Sequence, residues 1–293
     1  MSALIIRPVE THAEYAAVEA VQRAVWPGSE TDVVPRHLLS TAAANGGLVL
    51  GAFDGDRLVG FVFGFLGTDS AEPSRPALTQ LKHCSHMLGV LPEYRDQEVG
   101  YRLKLAQRDF VMRQGVRLVT WTYDPLESRN ARLNIARLGA VCRTYKRDVY
   151  GEMADALNAG LASDRFQVDW WITSSRVRER LAGQRARLVL ESFLSAGTEI
   201  LNPTQAAPDD DLPRPPERLA EPSGAFALVE IPRDFQALKA HDLVLAREWR
   251  LHTRLLFEAA FAQGYLVTDF FSEPWEGRLR SFYALSYGEA RLE

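Results

Sequence analysis

The stretch Met87-Leu-Gly-Val-Leu-Pro-Glu-Tyr-Arg-Asp-Gln-Glu-Val-Gly-Tyr101 predicts an apolar strand that passes through a proline-containing turn into a helix. The first turn of a helix has backbone N–H groups without intrahelical partners, and it carries the positive end of the helix dipole. We therefore expect the amides of Val99, Gly100 and Tyr101 to bind an anion. Arg95 would add a fixed positive charge beside them.

The segments around this stretch alternate between strand and helix patterns. Strand patterns occur at 5–9, 48–53, 58–66, 88–90, 117–123, 141–145 and 166–173, and helical spacing occurs at 14–26, 35–45 and 99–114. Asp-Gly-Asp at 54–56 predicts a hairpin turn. A further helix is expected to have Asp124 as its N-cap, Pro125 as its first residue and Gly139 at its end. The predicted order is β-α-α-β-β-β-α-β-α-β-β.

Residues 95–100 resemble the acyl-CoA signature of the GNAT acyltransferases, which reads Gln or Arg, two residues, Gly, one residue, and Gly or Ala. Arg95 fills the first position and Gly100 the last, whereas Glu98 stands where the family has its middle glycine. The order of elements is also that of the GNAT core, and the resemblance covers residues 3 to 175. It implies an α/β fold with a mixed, mostly antiparallel central sheet flanked by helices. It also implies acetyl-CoA or succinyl-CoA as co-substrate.

In the GNAT pattern the pantetheine arm of the acyl-CoA lies along the strand that here contains Leu88 and Val90. The end of this strand is expected to diverge from the next strand, so that the backbone amide of Val90 or Leu91 can hydrogen-bond the thioester oxygen. Asn130 and Asn134 are four residues apart on the following helix, so both can lie on one face. There they either bind the pantetheine amides or are merely solvated.

His86 is the candidate general base, because some GNAT acetyltransferases of small amines have a strand histidine at this spacing that faces the cleft. Its unperturbed pKa near 6.5 suits the deprotonation of an amine. The alternative is a half-buried strand residue that hydrogen-bonds a neighbouring carbonyl. Strand alternation puts Cys84 on the same face as His86 and His83 on the opposite face, where we expect His83 to lie at the surface.

The proton donor to the leaving thiolate is the weakest part of the resemblance. The family often supplies a tyrosine on the helix after the fifth strand, and that position here is Ile135. Tyr123, Tyr145 and Tyr150 are candidate replacements, although aromatic strand residues more often belong to the core. Solvent is the remaining source of the proton.

Beyond residue 175 the chain changes character. A helical pattern at 176–187 precedes a strand pattern at 188–193, and the composition of 203–222 predicts an exposed connector. A strand at 225–231, a helix at 234–263 and strands at 265–271 and 279–287 predict a C-terminal β-α-β-β extension. We therefore expect a core at 1–175, a helical, strand and connector segment at 176–223, and an extension at 224–293. The extension covers the core, adds strands to its sheet or forms a homodimer contact.

Composition limits the function classes. The chain has 293 residues with a net charge of −4, and its 46% hydrophobic residues suffice for a substantial core. No basic run occurs, so a nucleic-acid partner is not expected. Two cysteines, with no leader pattern and no long apolar segment, favour a reducing cytoplasm and no membrane partner. The histidines lack metal-ligand spacing, so no metal is expected.

These expectations favour an enzyme that moves an acetyl or succinyl group from acyl-CoA to a primary amine by direct attack in a ternary complex. The run 121–126, with 129–131 and 138–140, resembles a GNAT subgroup that carries an extra C-terminal region. Some of its members resemble amino-acid N-succinyltransferases, which implies succinyl-CoA as donor and a small-molecule amine or amino acid as acceptor. Arg129, Arg165, Arg250 and Arg254 could then bind carboxylates.

Two alternatives remain open. The chain could be a catalytically silent acyl-CoA-binding or protein-interaction module, because Glu98 and Ile135 depart from the family pattern. It could also be an unrelated α/β protein, since a fold alone does not establish a function.

Overall fold

The computed structural model describes residues 4–28, 30–69, 76–151, 159–184, 189–207 and 210–288. The chain forms two compact units. Among the described residues, the first unit contains those up to Trp121 and the second contains those from Thr122 onward. This division falls after Trp121, a different position from the expected boundary at residue 175.

The first unit is built on a five-stranded arrangement. Its elements are β1 (Ile5–Pro8), α1 (His12–Val25), α2 (Arg36–Ala44), β2 (Leu48–Asp54), β3 (Arg57–Thr68), β4 (Leu81–Val90), α3 (Val99–Arg113) and β5 (Leu118–Tyr123). The strands follow the order β1-β2-β3-β4-β5. Neighbours pair antiparallel except β4 and β5, which are parallel. The predicted mixed, mostly antiparallel fold class is confirmed.

Helices cover both faces of these strands. The ring of Trp26, which follows α1, packs edge-on against Phe61 of β3 at 6.4 Å between ring centroids. A Cβ atom on Gly60 would instead lie 3.3 Å from Val99 of α3. Because successive strand residues point to opposite faces, α1 and α3 lie on opposite sides of β3.

Local signals explain where several elements begin and turn. Thr11 and Glu14 form a reciprocal capping box at the start of α1. Gly55, in the turn between β2 and β3, has a φ of 58°, a left-handed conformation that costs glycine little. The turn at Gly55 was predicted from the sequence.

The second unit contains the remaining elements. They are α4 (Ser128–Ala131), continued by a π-helix (Arg132–Arg137), β6 (Val141–Lys146), β7 (Arg165–Trp171), α5 (Ser175–Leu181), α6 (Leu190–Ser195), β8 (Glu199–Ile200), β9 (Gln205–Ala207), β10 (Asp210–Arg214), β11 (Phe226–Ile231), α7 (Phe235–His241), α8 (Leu243–Ala262), β12 (Tyr265–Trp275) and β13 (Arg278–Tyr287). Strands follow the order β7-β6-β12-β13-β11-β8, and β9 and β10 form a separate pair. The antiparallel pairs again outnumber the parallel one, β11 with β8.

The strand predicted at 188–193 is wrong, because Leu190–Ser195 forms helix α6. Leu190 and Phe193 are buried together against Phe271 and Phe282. Their three-residue separation is a helical spacing, and a short apolar run does not distinguish it from a strand. Residues 185–188, which end the predicted arginine-rich helix and begin this segment, lie outside the described residues.

The extension also differs in detail from its prediction. The single helix expected at 234–263 is two helices, because Asp242 between them adopts an extended backbone and its side chain accepts the amide of Leu245 as the N-cap of α8. The segment 203–222, predicted as a connector, contains β9 and β10. Residues 208 and 209 within it lie outside the described residues.

The helix expected to start at Pro125 begins at Ser128. Asp124 does not cap it: its carboxylate accepts the amide of Leu126 and forms a two-pronged ion pair with Arg250. A partner so distant in sequence could not be anticipated from the local pattern. Gly139 follows the helical segment with a φ of 73°, as predicted.

Within the described ranges, no helix combines the length and the apolar character needed to cross a bilayer.

Candidate functional site

The parallel strands β4 and β5 separate soon after they meet. Their register contains the pairs His83–Val119 and Cys84–Thr120. Along the described length of β4, residues 85–90 pair with β3 only. We call the edge of β4 at residues 85–90, which β5 does not pair, the fork. Its presence agrees with the divergence expected from the resemblance.

His86 occupies a β-bulge at the fork. The register between β3 and β4 passes from Phe63–Met87 to Gly64–Ser85, so His86 is the extra residue. Its ring lies 5.7 Å from that of Phe63 and 5.9 Å from that of Phe65, on the face of the sheet opposite α3. His86 as a whole is exposed, but desolvation by these rings lowers its pKa, which favours the neutral imidazole.

The surface position predicted for His83 is wrong. His83 is fully buried, and its Nε2 lies 3.1 Å from Nε2 of Gln107 on α3. Burial, with the nearby Lys104 as a smaller cause, lowers its pKa to about 3. Alternation correctly placed His83 and His86 on opposite faces. It could not show that α3 covers the face of His83.

A polar cluster that the sequence analysis missed lies beneath the fork. Nζ of Lys104 donates to Oγ of Ser85 at 2.8 Å and to Oε1 of Gln107 at 3.1 Å, and it lies 3.5 Å from the centre of the Trp121 ring. The hydroxyl of Ser85 donates to Oε1 of Gln107 at 3.1 Å. Lys104 is 1% exposed. We call Ser85, Lys104 and Gln107, with His83, the fork cluster.

One sequence signal could have revealed this cluster. Val99, Leu103 and Val111 form the buried face of α3, and Lys104 and Gln107 lie on or beside the same face. Polar residues on an apolar helix stripe are candidates for buried hydrogen bonding.

The start of α3 contains the three backbone amides that were predicted to bind an anion. The amide of Arg102 makes the first helical bond, to the carbonyl of Glu98 at 3.0 Å. The amides of Val99, Gly100 and Tyr101 therefore precede the first helical donor, and the Glu98 side chain does not cap them. We call these three amides the anion cradle.

Glu98 has a left-handed backbone conformation, which glycine adopts more easily than other residues. The GNAT signature has a glycine at this position. The φ of Glu98 is 61° and its ψ is 8°, in the left-handed region. Asp96 also has a positive φ, 67°. Left-handed backbone costs a residue with a Cβ atom about 1 kcal/mol. The turn shape is therefore kept without the glycine, at the cost of strain and an added carboxylate.

Two contacts fasten the turn before the cradle. Glu93 pairs with Arg57 at 2.7 Å, and the hydroxyl of Tyr94 donates to Asp54 at 2.8 Å. Arg95 is half-buried, and its Nε donates to the carbonyl of Val90 at 3.4 Å. The predicted Arg95 thus lies between the end of β4 and the start of α3.

The amide of Leu91 is not available for a thioester oxygen, which corrects one of the two alternatives. It donates to the carbonyl of Val59 at 2.9 Å. Because alternate residues of a strand direct their amides to opposite sides, the amide of Val90 points away from β3 and toward the fork. Leu88 shares this orientation, and both residues are half-buried.

The remaining predicted residues belong to the second unit. The hydroxyl of Tyr145 donates to the buried Asp164 at 2.7 Å, and burial raises the pKa of Tyr145. Tyr150 is 52% exposed, and its hydroxyl lies 2.9 Å from Oγ1 of Thr122. Tyr123 is buried with its hydroxyl 3.1 Å from that of Tyr283.

Asn130 and Asn134 do not share an environment. Asn130 is exposed, whereas Asn134 is buried within the π-helix. The wider π-helical turn changes the angle between residues four apart, which an α-helical pattern cannot anticipate. Ile135 is fully buried.

The arginines considered for carboxylate binding have protein partners. Arg250 pairs with Asp124, Arg254 pairs with Asp164 at 2.7 Å, and Arg165 lies 3.8 Å from Asp124. Arg129 is exposed. In the described part of the chain, no group of three His, Cys, Asp or Glu side chains is placed to hold a metal ion.

No protein-family model matches the sequence. No curated protein matches it either. Three solved structures are similar in fold. An N-acetyltransferase from Staphylococcus aureus is 12% identical, with a TM-score of 0.45, over 59% of this chain and 100% of that chain. Arabidopsis thaliana NAA60 in complex with acetyl-CoA is 15% identical, with a TM-score of 0.46, over 58% of this chain and 99% of that chain. An aminoglycoside 6'-acetyltransferase type Ii is 17% identical, with a TM-score of 0.43, over 57% of this chain and 97% of that chain. Values this low assign neither a family nor an activity to this chain.

Proposed function

We propose that this chain is a GNAT-type N-acyltransferase that moves an acyl group from acyl-CoA to a primary amine by direct attack. The observation that carries the proposal is the continuity of the fork, Arg95 and the anion cradle along β4 and the start of α3. Residues 1–175 would form the acyl-CoA-binding part.

The cradle is the proposed pyrophosphate site. Amides of Val99, Gly100 and Tyr101 and the positive end of the α3 dipole favour negative charge. Arg95, held at the carbonyl of Val90, adds a guanidinium beside them. Glu98 opposes this field, because its carboxylate lies at the same helix start.

The pantetheine arm is proposed to extend from the cradle back along β4. In the fork it would pair with the strand edge that β5 leaves open, beside Leu88 and Val90. The amide of Val90 would then stabilise the negative charge that develops on the thioester oxygen.

His86 is proposed as the base that takes a proton from the attacking amine. It lies at the fork and on the face opposite α3, and its lowered pKa leaves the ring able to accept a proton near neutral pH. The acyl group is acetyl or succinyl, and the acceptor is a small-molecule amine or an amino acid. The roles predicted for Tyr145, Tyr150, Asn130 and Asn134 stay predictions.

Calorimetric titration with acetyl-CoA, succinyl-CoA and free CoA tests the proposal. Arg95→Ala should weaken binding and Gly100→Trp should abolish it, because a large side chain at the second helical residue fills the cradle. Arg117→Ala removes an exposed arginine elsewhere in the first unit and is the matched control. The absence of CoA binding to the unchanged protein would refute the proposal.

Glu98 favours a second candidate, a module that binds acyl-CoA without turning it over, because its carboxylate and strained backbone depart from an optimised cradle. Release of free thiol from acetyl-CoA, dependent on an added panel of primary amines, separates the two. Cys84 lies near the fork, so Cys84→Ala should retain this thiol release if transfer is direct.

A further inference from the structure

We propose that Lys104 fixes the point at which β5 leaves β4, and that it thereby keeps the edge of β4 open for the pantetheine arm. Lys104 is a positioning residue, because it acts on the two strands and touches no reacting atom. The inference rests on the proposed function, since it names a residue that prepares the same acyl-CoA site.

The branch point lies immediately after the last pair of the β4–β5 ladder, Cys84 with Thr120. Neighbouring strands lie about 4.8 Å apart, so a further step of the same register would place Ser85 beside Trp121. The described register contains no such pair. Oγ of Ser85 instead accepts a hydrogen bond from Nζ of Lys104 at 2.8 Å, and the same nitrogen lies 3.5 Å from the centre of the Trp121 ring. One side chain of α3 therefore contacts both strands where they begin to separate.

The contacts around Nζ of Lys104 match the three donors of an ammonium. Two donors meet oxygens, Oγ of Ser85 at 2.8 Å and Oε1 of Gln107 at 3.1 Å. The third is left for the indole of Trp121, whose face attracts a cation. A neutral amine would turn its lone pair toward the same electron-rich face. The arrangement therefore holds a charged group at the meeting point of α3, β4 and β5.

Burial makes this arrangement difficult to disturb. Lys104 is 1% exposed, and desolvation lowers its pKa well below the usual lysine value. A desolvated charge is costly to leave without its partners. Neither Ser85 nor Trp121 can therefore move freely away from it.

Gln107 and His83 orient the hydrogen bonds of the cluster. The hydroxyl of Ser85 donates to Oε1 of Gln107 at 3.1 Å, which leaves its oxygen to accept from Lys104. Nε2 of Gln107 lies 3.1 Å from Nε2 of His83, a ring that burial keeps neutral and able to accept. The amide of Gln107 is thus held with its oxygen toward Lys104.

The bulge at His86 does not by itself explain where the strands part. A bulge bends the strand that contains it. This one lies in the pairing of β4 with β3, and the ladder with β5 already ends at Cys84, two residues earlier. Lys104, in contrast, contacts the first residue of each strand beyond that ladder.

An edge that is fixed in advance binds its ligand more tightly than one that must first open. Without the Lys104 contacts, Trp121 could approach Ser85 and continue the ladder, so the open arrangement would become a fraction of the population. The affinity of a ligand for the edge beside Leu88 and Val90 would fall by that fraction. The anion cradle does not depend on β5, because its amides belong to the first turn of α3.

The test compares two ligands of the full chain by calorimetry. CoA has a pyrophosphate and the pantetheine arm, whereas ADP has a diphosphate and no arm, so ADP reports on the cradle alone. Lys104→Met, with a side chain of similar length and no charge, should weaken CoA binding about 10-fold and ADP binding by less than about twofold. Lys104→Arg should recover most of the CoA affinity, because a guanidinium can donate to both oxygens and stack on the indole.

Trp121→Leu, a change at a half-buried residue, is the second variant in case Lys104→Met does not fold, and it should give the same selective loss. The double variant should lose no more CoA affinity than either single variant, because both changes break one contact. Val18→Ala, in the buried face of α1, is the matched control for lowered stability and should leave both affinities unchanged.

Steady-state kinetics with an amine acceptor give a further readout. Lys104→Met should raise KM for acetyl-CoA about 10-fold with kcat nearly unchanged, because Lys104 touches no reacting atom. Equal weakening of CoA and ADP, or no weakening of either, would overturn this inference and leave the proposed function standing. No CoA binding to the unchanged protein would overturn the proposed function as well.

Discussion

Gly64 of β3 leaves the space that the imidazole of His83 on β4 fills. A Cβ atom on Gly64 would lie 2.3 Å from Nε2 of His83 and 2.7 Å from the carbonyl oxygen of Cys84. One contact is with a buried ring held by Gln107 and the other is with backbone, so neither can yield easily. The absence of one side chain on β3 thus permits the fork cluster on its neighbour.

Gly64→Ala should therefore destabilise the protein by about 1 to 3 kcal/mol, the usual range for overpacking a core. The measurement is the midpoint of urea unfolding. Gly67→Ala on the same strand is the matched control, because a Cβ there meets nothing within 4 Å. Equal midpoints for the two variants would show that His83 does not occupy this space.

His83 should make stability depend on pH. Its pKa is near 6.5 in the unfolded chain and about 3 in the folded protein, so between these values the unfolded state binds the extra proton. Stability is then lost as pH falls through this window, by about 2 kcal/mol between pH 7 and pH 5.

His83→Gln removes the titrating group and keeps a polar side chain. Urea unfolding at several pH values should show a shallower loss in this variant, while contributions from the other histidines cancel in the difference. An identical pH slope in both proteins would contradict the buried, neutral state of His83.

Glu98 should weaken the anion cradle through its charge. Glu98→Gln removes the charge and keeps the left-handed strain, and it should tighten binding of free CoA about fivefold. Glu98→Gly also removes the strain at φ 61° and should bind at least as tightly. Calorimetry on both variants separates charge from backbone, and weaker binding by Glu98→Gln would show that the carboxylate aids the site.

Asp164 should contribute strongly to the stability of the second unit through its ion pair and hydrogen bonds. It is fully buried and accepts from Arg254 at 2.7 and 2.9 Å, from Tyr145 and from the amide of Asp148. Asp164→Asn leaves the guanidinium of Arg254 without its charge partner and should cost about 3 kcal/mol.

The control for this prediction is Glu258→Gln on α8. Glu258 pairs with the exposed Arg147, and such surface pairs contribute at most about 1 kcal/mol. The midpoint temperature of thermal unfolding should therefore be well below that of the unchanged protein for Asp164→Asn and close to it for Glu258→Gln. A lower midpoint for Glu258→Gln than for Asp164→Asn would show that burial does not determine how much these ion pairs contribute to stability.

Local chemistry made much of the fold readable. The turn at Gly55 and the proline turn before α3 were predicted because each is decided by a few neighbouring residues, and the structure has both. Predictions failed where a distant partner intervened. Asp124 joins Arg250 instead of capping a helix, and Leu190 and Phe193 pack as a helix face.

The candidate site divides in the same way. The sequence by itself determined the cradle and its arginine, because helix termini and their charges are local properties of residues 95–101. Only the tertiary structure decided the fork cluster. Burial of His83, Ser85, Lys104 and Gln107 depends on where α3 packs against β4, and the same packing changes the pKa values of His83 and Lys104. Periodicity gives the face of a side chain, but only packing determines whether that face meets water.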